Sequence, residues 1–226
     1  MRANALAVMA KAPAAGGVKT RLVPALSFEQ AAELARALLL DQLAHLQSFQ
    51  AADLYLAFAP TEARALMEEL APSCYRCFPQ AGDGLGLRMQ AIFGKLFAGG
   101  YNRVVLIGGD LPPVPLRFFD KAYAFLQSPS QRVVLGPSRD GGYYLVGCNH
   151  STPEIFAGMD WGHGGVLAQT LARLSSLKID HHLLPEWFDV DTPDDLLTLN
   201  SALDTSLAEA MPNTSSLLPR LELKKR

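Results

Sequence analysis

With 226 residues, 49% of them hydrophobic and 19% charged, the chain carries enough apolar matter to bury one full-sized core, which excludes a disordered or fibrous protein. A formal net charge of -2 sets up no field that would draw in nucleic acid or an anionic membrane, so any anion must be held by local groups. The three cysteines, Cys74, Cys77 and Cys148, cannot all pair with one another. The first two have CxxC spacing in an expected strand but lack the second pair or nearby histidines of a zinc site, so buried thiols are expected. Met1 to Asn4 leads straight into a short apolar run interrupted by Lys11, too brief for a secretory h-region or a membrane span, and a cytoplasmic protein is expected.

In chain order, Ala5–Ala10 reads as a buried strand closed by Lys11-Ala12-Pro13. A loop with Gly16, Gly17, Lys19, Thr20 and Arg21 follows. Ser27 with Gln30 three residues later forms a capping box, and Leu34, Leu38, Leu39, Leu43 and Leu46 line one helical face to about Ser48. Asp53–Ala59 alternates as a strand, Thr61–Leu70 reads as a helix, and Cys74–Phe78 as a third strand before the glycine-rich Gln80–Gly86 and a helix over Leu87–Phe97. Arg103–Ile107 is a β-branched strand ending in Gly108-Gly109-Asp110, and the prolines to Pro115 open the next helix. Val133–Leu135 and Tyr143–Val146 flank a turn at Asp140-Gly141-Gly142, Val166–Leu174 is helical and Ile179–Leu184 extended. Thr192-Pro193 caps a last helix. The pattern predicts a single domain over residues 1–203 and a loosely held tail over 204–226.

Strands alternating with helices argue for a mostly parallel sheet covered on both faces. Ligands of such sheets sit beyond the carboxyl ends of the strands, where this sequence places its glycines, aspartates and basic residues. The loop from Lys11 to Arg21 combines glycines with three cationic side chains, which suits a diphosphate better than a solvated loop does. It is neither a P-loop nor a GxGxxG fingerprint. Gln80-Ala81-Gly82 through Arg88 either offers backbone amides to a base or phosphate or is a flexible turn. Asp110 lies directly past a central strand, behind glycines that would let a ligand approach. Asp191, if it met Asp110, would supply a second oxygen ligand for a divalent ion; it also reads as a helix N-terminal charge, and Asp189 as a surface acid. Two such carboxylates about 4 Å apart repel by roughly 4 kcal/mol at an effective dielectric near 20, so a metal or Lys19 would have to offset them. Asp140-Gly141-Gly142 is a tight hairpin or the floor of a pocket. His163 and the pair His181-His182 are offered as bases or ligands only secondarily, since scattered histidines more often pack or face solvent.

Taken together, KAPxxGxVKTRL, QxGxxLGxRM, GGDxP, GPxxDGGYYLxG and DVDTPxDL, in this order between Leu6 and Leu197, resemble the radical-SAM/selenodomain-associated transferase family. Two departures are Ala15-Gly16 where the family usually has Pro-Gly, and Gly162-His163 after Trp161 where it has Ser-Thr. The resemblance implies a nucleotide-diphospho-sugar transferase (GT-A) fold, a three-layer α/β/α sandwich with a mostly parallel central sheet. It assigns Lys11, Gly16, Lys19, Thr20, Arg21, Gln80, Gly82 and Arg88 to the nucleotide and Asp110 to a metal, Mg2+ or Mn2+. Asp140, Gly141, Gly142 and Asp191 fall to the acceptor side or a second metal contact. It implies a metal-dependent glycosyltransferase-like enzyme with a nucleotide-sugar donor and a small-molecule acceptor. A nucleotidyltransferase releasing pyrophosphate, or a non-catalytic nucleotide-binding protein, are the alternatives.

Overall fold

The structure is a computed structural model and describes residues 3–23, 25–150, 153–162, 164–203 and 205–221. Strands Asn4–Lys11 (β1), Asp53–Ala59 (β2), Tyr75–Pro79 (β3), Arg103–Gly108 (β4), Arg132–Pro137 (β5), Tyr143–Cys148 (β6) and Asp180–Leu183 (β7) form one seven-stranded sheet, in the order β3-β2-β1-β4-β6-β5-β7. Only β6 runs against its neighbours; every other pairing is parallel. Helices are Phe28–Leu46 (α1), Arg64–Leu70 (α2), Leu85–Ala98 (α3), Leu116–Leu126 (α4), Val166–Ser176 (α5) and Pro193–Ala202 (α6), then the short Thr205–Ala210 (α7) and Pro212–Leu217 (α8).

Alternation along the central strand builds the three layers. Leu6, Val8 and Ala10 of β1 join a core with Leu39 and Leu43 of α1, Met67 of α2 and Phe119 of α4. Ala5 and Ala7 face the other way, toward Met89, Ile92 and Phe93 of α3 and Leu174 of α5. Successive strand residues point to opposite faces, so a strand apolar throughout must be covered on both sides. Both expected helix starts carry their caps: Ser27 Oγ accepts from the Gln30 amide at 3.2 Å while Gln30 Oε1 accepts from the Ser27 amide at 2.9 Å, and Thr192 and Asp195 form the equivalent box on α6. No helix among the described residues is long and apolar enough to cross a membrane.

The expected tail is a correction. Residues 205–221 form α7, α8 and a 3-10 turn, and Met211 and Thr214 are fully buried. Their anchor is Asp41, buried on α1: its Oδ1 accepts from the Asn213 amide at 3.0 Å and side-chain nitrogen at 2.7 Å, and its Oδ2 from the Thr214 amide at 2.8 Å. A buried carboxylate is tolerated only with its hydrogen bonds made, and here the first turn of α8 supplies them. The basic end of the chain, Lys224 to Arg226, lies outside the described residues. The buried-thiol expectation holds for Cys148 alone; Cys74 is exposed and Cys77 partly so, because Cys74 precedes β3 and Cys77 sits on this edge strand. Asp41→Ala strands the buried Thr214 amide, and the expected cost is about 1–3 kcal/mol, read as a lower urea midpoint at unchanged slope.

Candidate functional site

A cleft of about 710 Å³ opens at the carboxyl ends of β1 and β4, beside the start of β6. It is of the size that takes a nucleotide-sized ligand. Its centre is a single ammonium. Lys19, in the left-handed conformation at φ 49°, ends the first loop and turns its side chain inward to 1% exposure. Its Nζ is 3.1 Å from Asp191 Oδ1 and 3.4 Å from both Oδ1 and the carbonyl oxygen of Asp110. Burial pushes this ammonium's pKa down, but the two carboxylates more than offset it and hold it above its ordinary value. Lys19 therefore stays charged and cancels much of the repulsion between the two acids.

The elements around the ammonium fix it from behind. Leu22 and Leu26, after the Lys19 loop, pack with Leu34 and Leu38 of α1, with Phe188 and Val190, and with Leu196 and Leu199 of α6. Alternation in Phe188-Asp189-Val190-Asp191 buries the two apolar residues and leaves the two acids toward the cleft. The Val190 amide donates to the Asp110 carbonyl at 3.4 Å, and the Asp191 amide donates to Asp195 Oδ2 at 3.1 Å, so the α6 cap also positions Asp191.

Lys11, Lys19, Thr20, Arg21, Gln80, Arg88, Asp110, Asp140, Gly142 and Asp191 all line the cleft. Arg21 is largely exposed, with Nη1 3.9 Å from Asp191. Gln80 uses its Nε2 to donate to the carbonyls of Ala10, at 3.1 Å, and Ala57, at 2.8 Å, capping the ends of β1 and β2 while keeping its own oxygen. Gly16, Gly82 and Gly141, expected as ligand contacts, stand behind the lining instead. A Cβ on Gly82 would lie 2.9 Å from Leu87 Cβ, its φ is 111°, and its carbonyl accepts from Arg88 Nε at 3.2 Å. Gly16 supplies a positive φ of 78° for the loop, and a side chain on Gly141 would collide with the Gly164 backbone. Gly109 lines the cleft and also serves packing, since a Cβ on it would be 2.9 Å from Ala10 Cβ. His181 and His182 do not line the cleft; the His182 ring lies 5.3 Å from that of Phe125. His163 lies outside the described residues.

The lining also includes Ser138, Tyr143, Trp161 and Asp189. Asp189, read from the sequence as a surface acid, is partly buried, and its carboxyl is pushed up to about 6 by that burial, by Asp191 and by Asp140, against a 3.2 Å hydrogen bond donated by Ser138 Oγ. The alternation with the buried Phe188 and Val190 turns it away from the apolar core and, together with Asp191, toward the cleft.

These features define the fold of the nucleotide-diphospho-sugar transferases, with the ligand cleft at the reversal from parallel to antiparallel pairing. The chain belongs to the family described as "Uncharacterized protein conserved in bacteria (DUF2064)", whose model matches residues 42–163. A protein of Desulfovibrio desulfuricans G20, provisionally named a nucleotide-diphospho-sugar transferase, is 32% identical with a TM-score of 0.84, over 97% of this chain and 98% of that one. A cytidylyltransferase of Leptospira borgpetersenii serovar Hardjo-bovis shares the fold at 13% identity and TM-score 0.61, over 100% of this chain and 99% of that one. A 4-diphosphocytidyl-2C-methyl-D-erythritol synthase of Anaerococcus prevotii does so at 10% identity and TM-score 0.56, over 89% and 96%. No curated protein matches the chain.

Asp189 gives a pH test with a definite sign. Between its ordinary value of 3.8 and about 6 the folded state holds a proton that the unfolded chain has lost, so the stability this proton contributes is lost as pH rises through about 6. Asp189→Asn keeps an oxygen for Ser138. It is expected to melt higher than the parent above pH 6 and to lose that advantage below about pH 3.8, in thermal melts with chelator present.

Proposed function

We propose that this chain is a cytoplasmic, metal-dependent transferase that takes a nucleotide-sugar donor and moves its glycosyl group to a small-molecule acceptor. The observation that carries the reading is the Lys19 ammonium held between Asp110 and Asp191 at the carboxyl end of the central strands. The 32% identical relative, named for nucleotide-diphospho-sugar transfer, supports the donor class.

The donor set fits a hard divalent ion. Asp110, with its side chain 56% exposed, and Asp191 offer oxygen only. Among the described residues no three His, Cys, Asp or Glu side chains form a metal cage. Magnesium and manganese sites of this kind use one or two carboxylates and complete their shell with water and substrate phosphates. The formal charges agree: four cationic and four anionic side chains line the cleft, so a diphosphate would bring unbalanced negative charge that a divalent ion relieves. Asp110 and Asp191 would hold the ion, which when bound neutralises charge on the departing phosphate.

The chain's own groups do the rest. Lys19 and Arg21 face the phosphates and, with Lys11 and Arg88, stabilise the charge that develops as the donor bond breaks. Asp140 uses Oδ1 to accept from the Gly142 amide at 2.9 Å, which leaves its second oxygen for the acceptor. An acceptor oxygen forms a bond to the anomeric carbon, and the bond from that carbon to the phosphate oxygen breaks with its electron pair leaving on the nucleoside diphosphate. The acceptor's hydroxyl proton passes to Asp140.

Purified protein given nucleotide-sugars and nucleoside triphosphates with magnesium or manganese should release a nucleoside diphosphate. Release of pyrophosphate would replace glycosyl by nucleotidyl transfer, and no release of either would reject both. Asp110→Ala should lower turnover by at least about 100-fold and abolish the metal-dependent rise in melting temperature that nucleotides give.

A further inference from the structure

The charges around the cleft are unevenly compensated. All four cations come from the end of β1, its following loop and the first turn of α3, and two of them, Lys19 and Arg21, pair with Asp191 or Asp110, whereas the β5–β6 turn and the β7–α6 connection also contribute Ser138, Asp140 and Asp189. Arg139, the one base in that turn, is committed elsewhere: its Nε lies 3.6 Å from Glu186 and its guanidinium 5.1 Å from the Phe188 ring. Among the described residues Asp140 and Asp189 have no ion-pair partner.

Beside these acids stands an aromatic wall. Trp161 is half-buried and meets Tyr143 edge-on at 6.3 Å between ring centres. Gly86 of α3 leaves room for the indole, since a Cβ there would lie 2.6 Å from Trp161 Nε1. Wall and acids are locked together, because the Leu167 amide donates to the Gly141 carbonyl at 3.0 Å and Gly141 packs directly on Gly164.

Ionised carboxylates only accept hydrogen bonds, so what lies against Asp140 and Asp189 must donate them. An indole face takes the C–H face of a ring or chain and carries no charge requirement. We propose that the acceptor is an uncharged or cationic polyhydroxylated molecule, a sugar, polyol or amino sugar, lying on Trp161 with hydroxyl or ammonium groups donating to Asp140 and Asp189, and that phosphorylated or carboxylated counterparts are rejected. The inference rests on the reading of this half of the cleft as the acceptor side. An anion at hydrogen-bond range of two uncompensated carboxylates should bind at least about tenfold more weakly than its neutral counterpart.

The test is saturation-transfer NMR on the full chain with magnesium, the basic side being filled by pyrophosphate. The probes are glucose, mannose, glucosamine and glycerol beside their phosphorylated forms. Binding of at least one unphosphorylated probe is expected, about tenfold tighter than its phosphate ester. Trp161→Ala should weaken it, and Asp140→Asn with Asp189→Asn, which keeps the turn and Ser138 bonds, should narrow the preference several-fold. Amino sugars favoured over polyols would mark the cationic source of the same chemistry. Phosphate esters bound equally well, a preference that survives loss of both charges, or no probe bound would overturn the proposal. Should no nucleotide shift the melting temperature while the sugar preference holds, the donor reading fails and this one stands.

Discussion

Lys19 ties together loops that the sequence keeps far apart. Asp110 is 91 residues and Asp191 172 residues from it, yet one ammonium bridges both within 3.4 Å. Without a cation the two acids would drive the end of β4 and the start of α6 apart. With Lys19 as that cation, the carboxylates are held close but still half open to the cleft. A buried lysine is ordinarily a liability, since desolvation disfavours its charge. Here the same burial excludes water from the bridge and strengthens it. The apolar cluster of Leu22, Leu26, Val190 and Leu196 supplies the dry backing.

That arrangement explains which parts of the molecule are legible in the primary sequence. Strand and helix positions follow from local periodicity: β2 falls where its alternation predicts, and the caps at Ser27 and Thr192 form as their spacing predicts. The parallel, doubly covered sheet follows as well. Strand order does not. Nothing in the turn at Asp140 says that β6 inserts between β4 and β5, reversing the pairing there, because that depends on contacts distant in sequence. The C-terminal helices escape for the same reason. α7 and α8 are each six residues long, too short to show a period, and their docking depends on Asp41, 172 residues before Asn213.

Glycines are where motif and geometry part most clearly. In the sequence they cluster at the expected cleft and suggest close approach of a ligand. In the structure several of them admit protein: Gly109, which also lines the cleft, takes Ala10, Gly86 takes Trp161 and Gly141 takes Gly164. They also set the positions of neighbouring cleft side chains. Gly109 brings β4 against β1, which sets Asp110 over Lys19, and Gly141 brings Asp140 beside the Trp161 loop. A glycine-rich motif at a strand end is therefore as much a requirement of packing as of binding, and spacing alone does not separate the two.

The charges lining the cleft are unevenly compensated, and the molecule's overall charge hides this. A formal charge of -2 summarises a site in which Asp110 and Asp191 are paired with Lys19 while Asp140 and Asp189 have no ion-pair partner among the described residues. Coulomb energies at contact distances outweigh the distant field of the whole protein, which salt screens within about 10 Å. The raised pKa of Asp189 marks a stability cost of this arrangement: an acid buried near two others is costlier ionised than exposed. Asp191 is offset by Lys19, but Asp140 and Asp189 are left to whatever fills the other half.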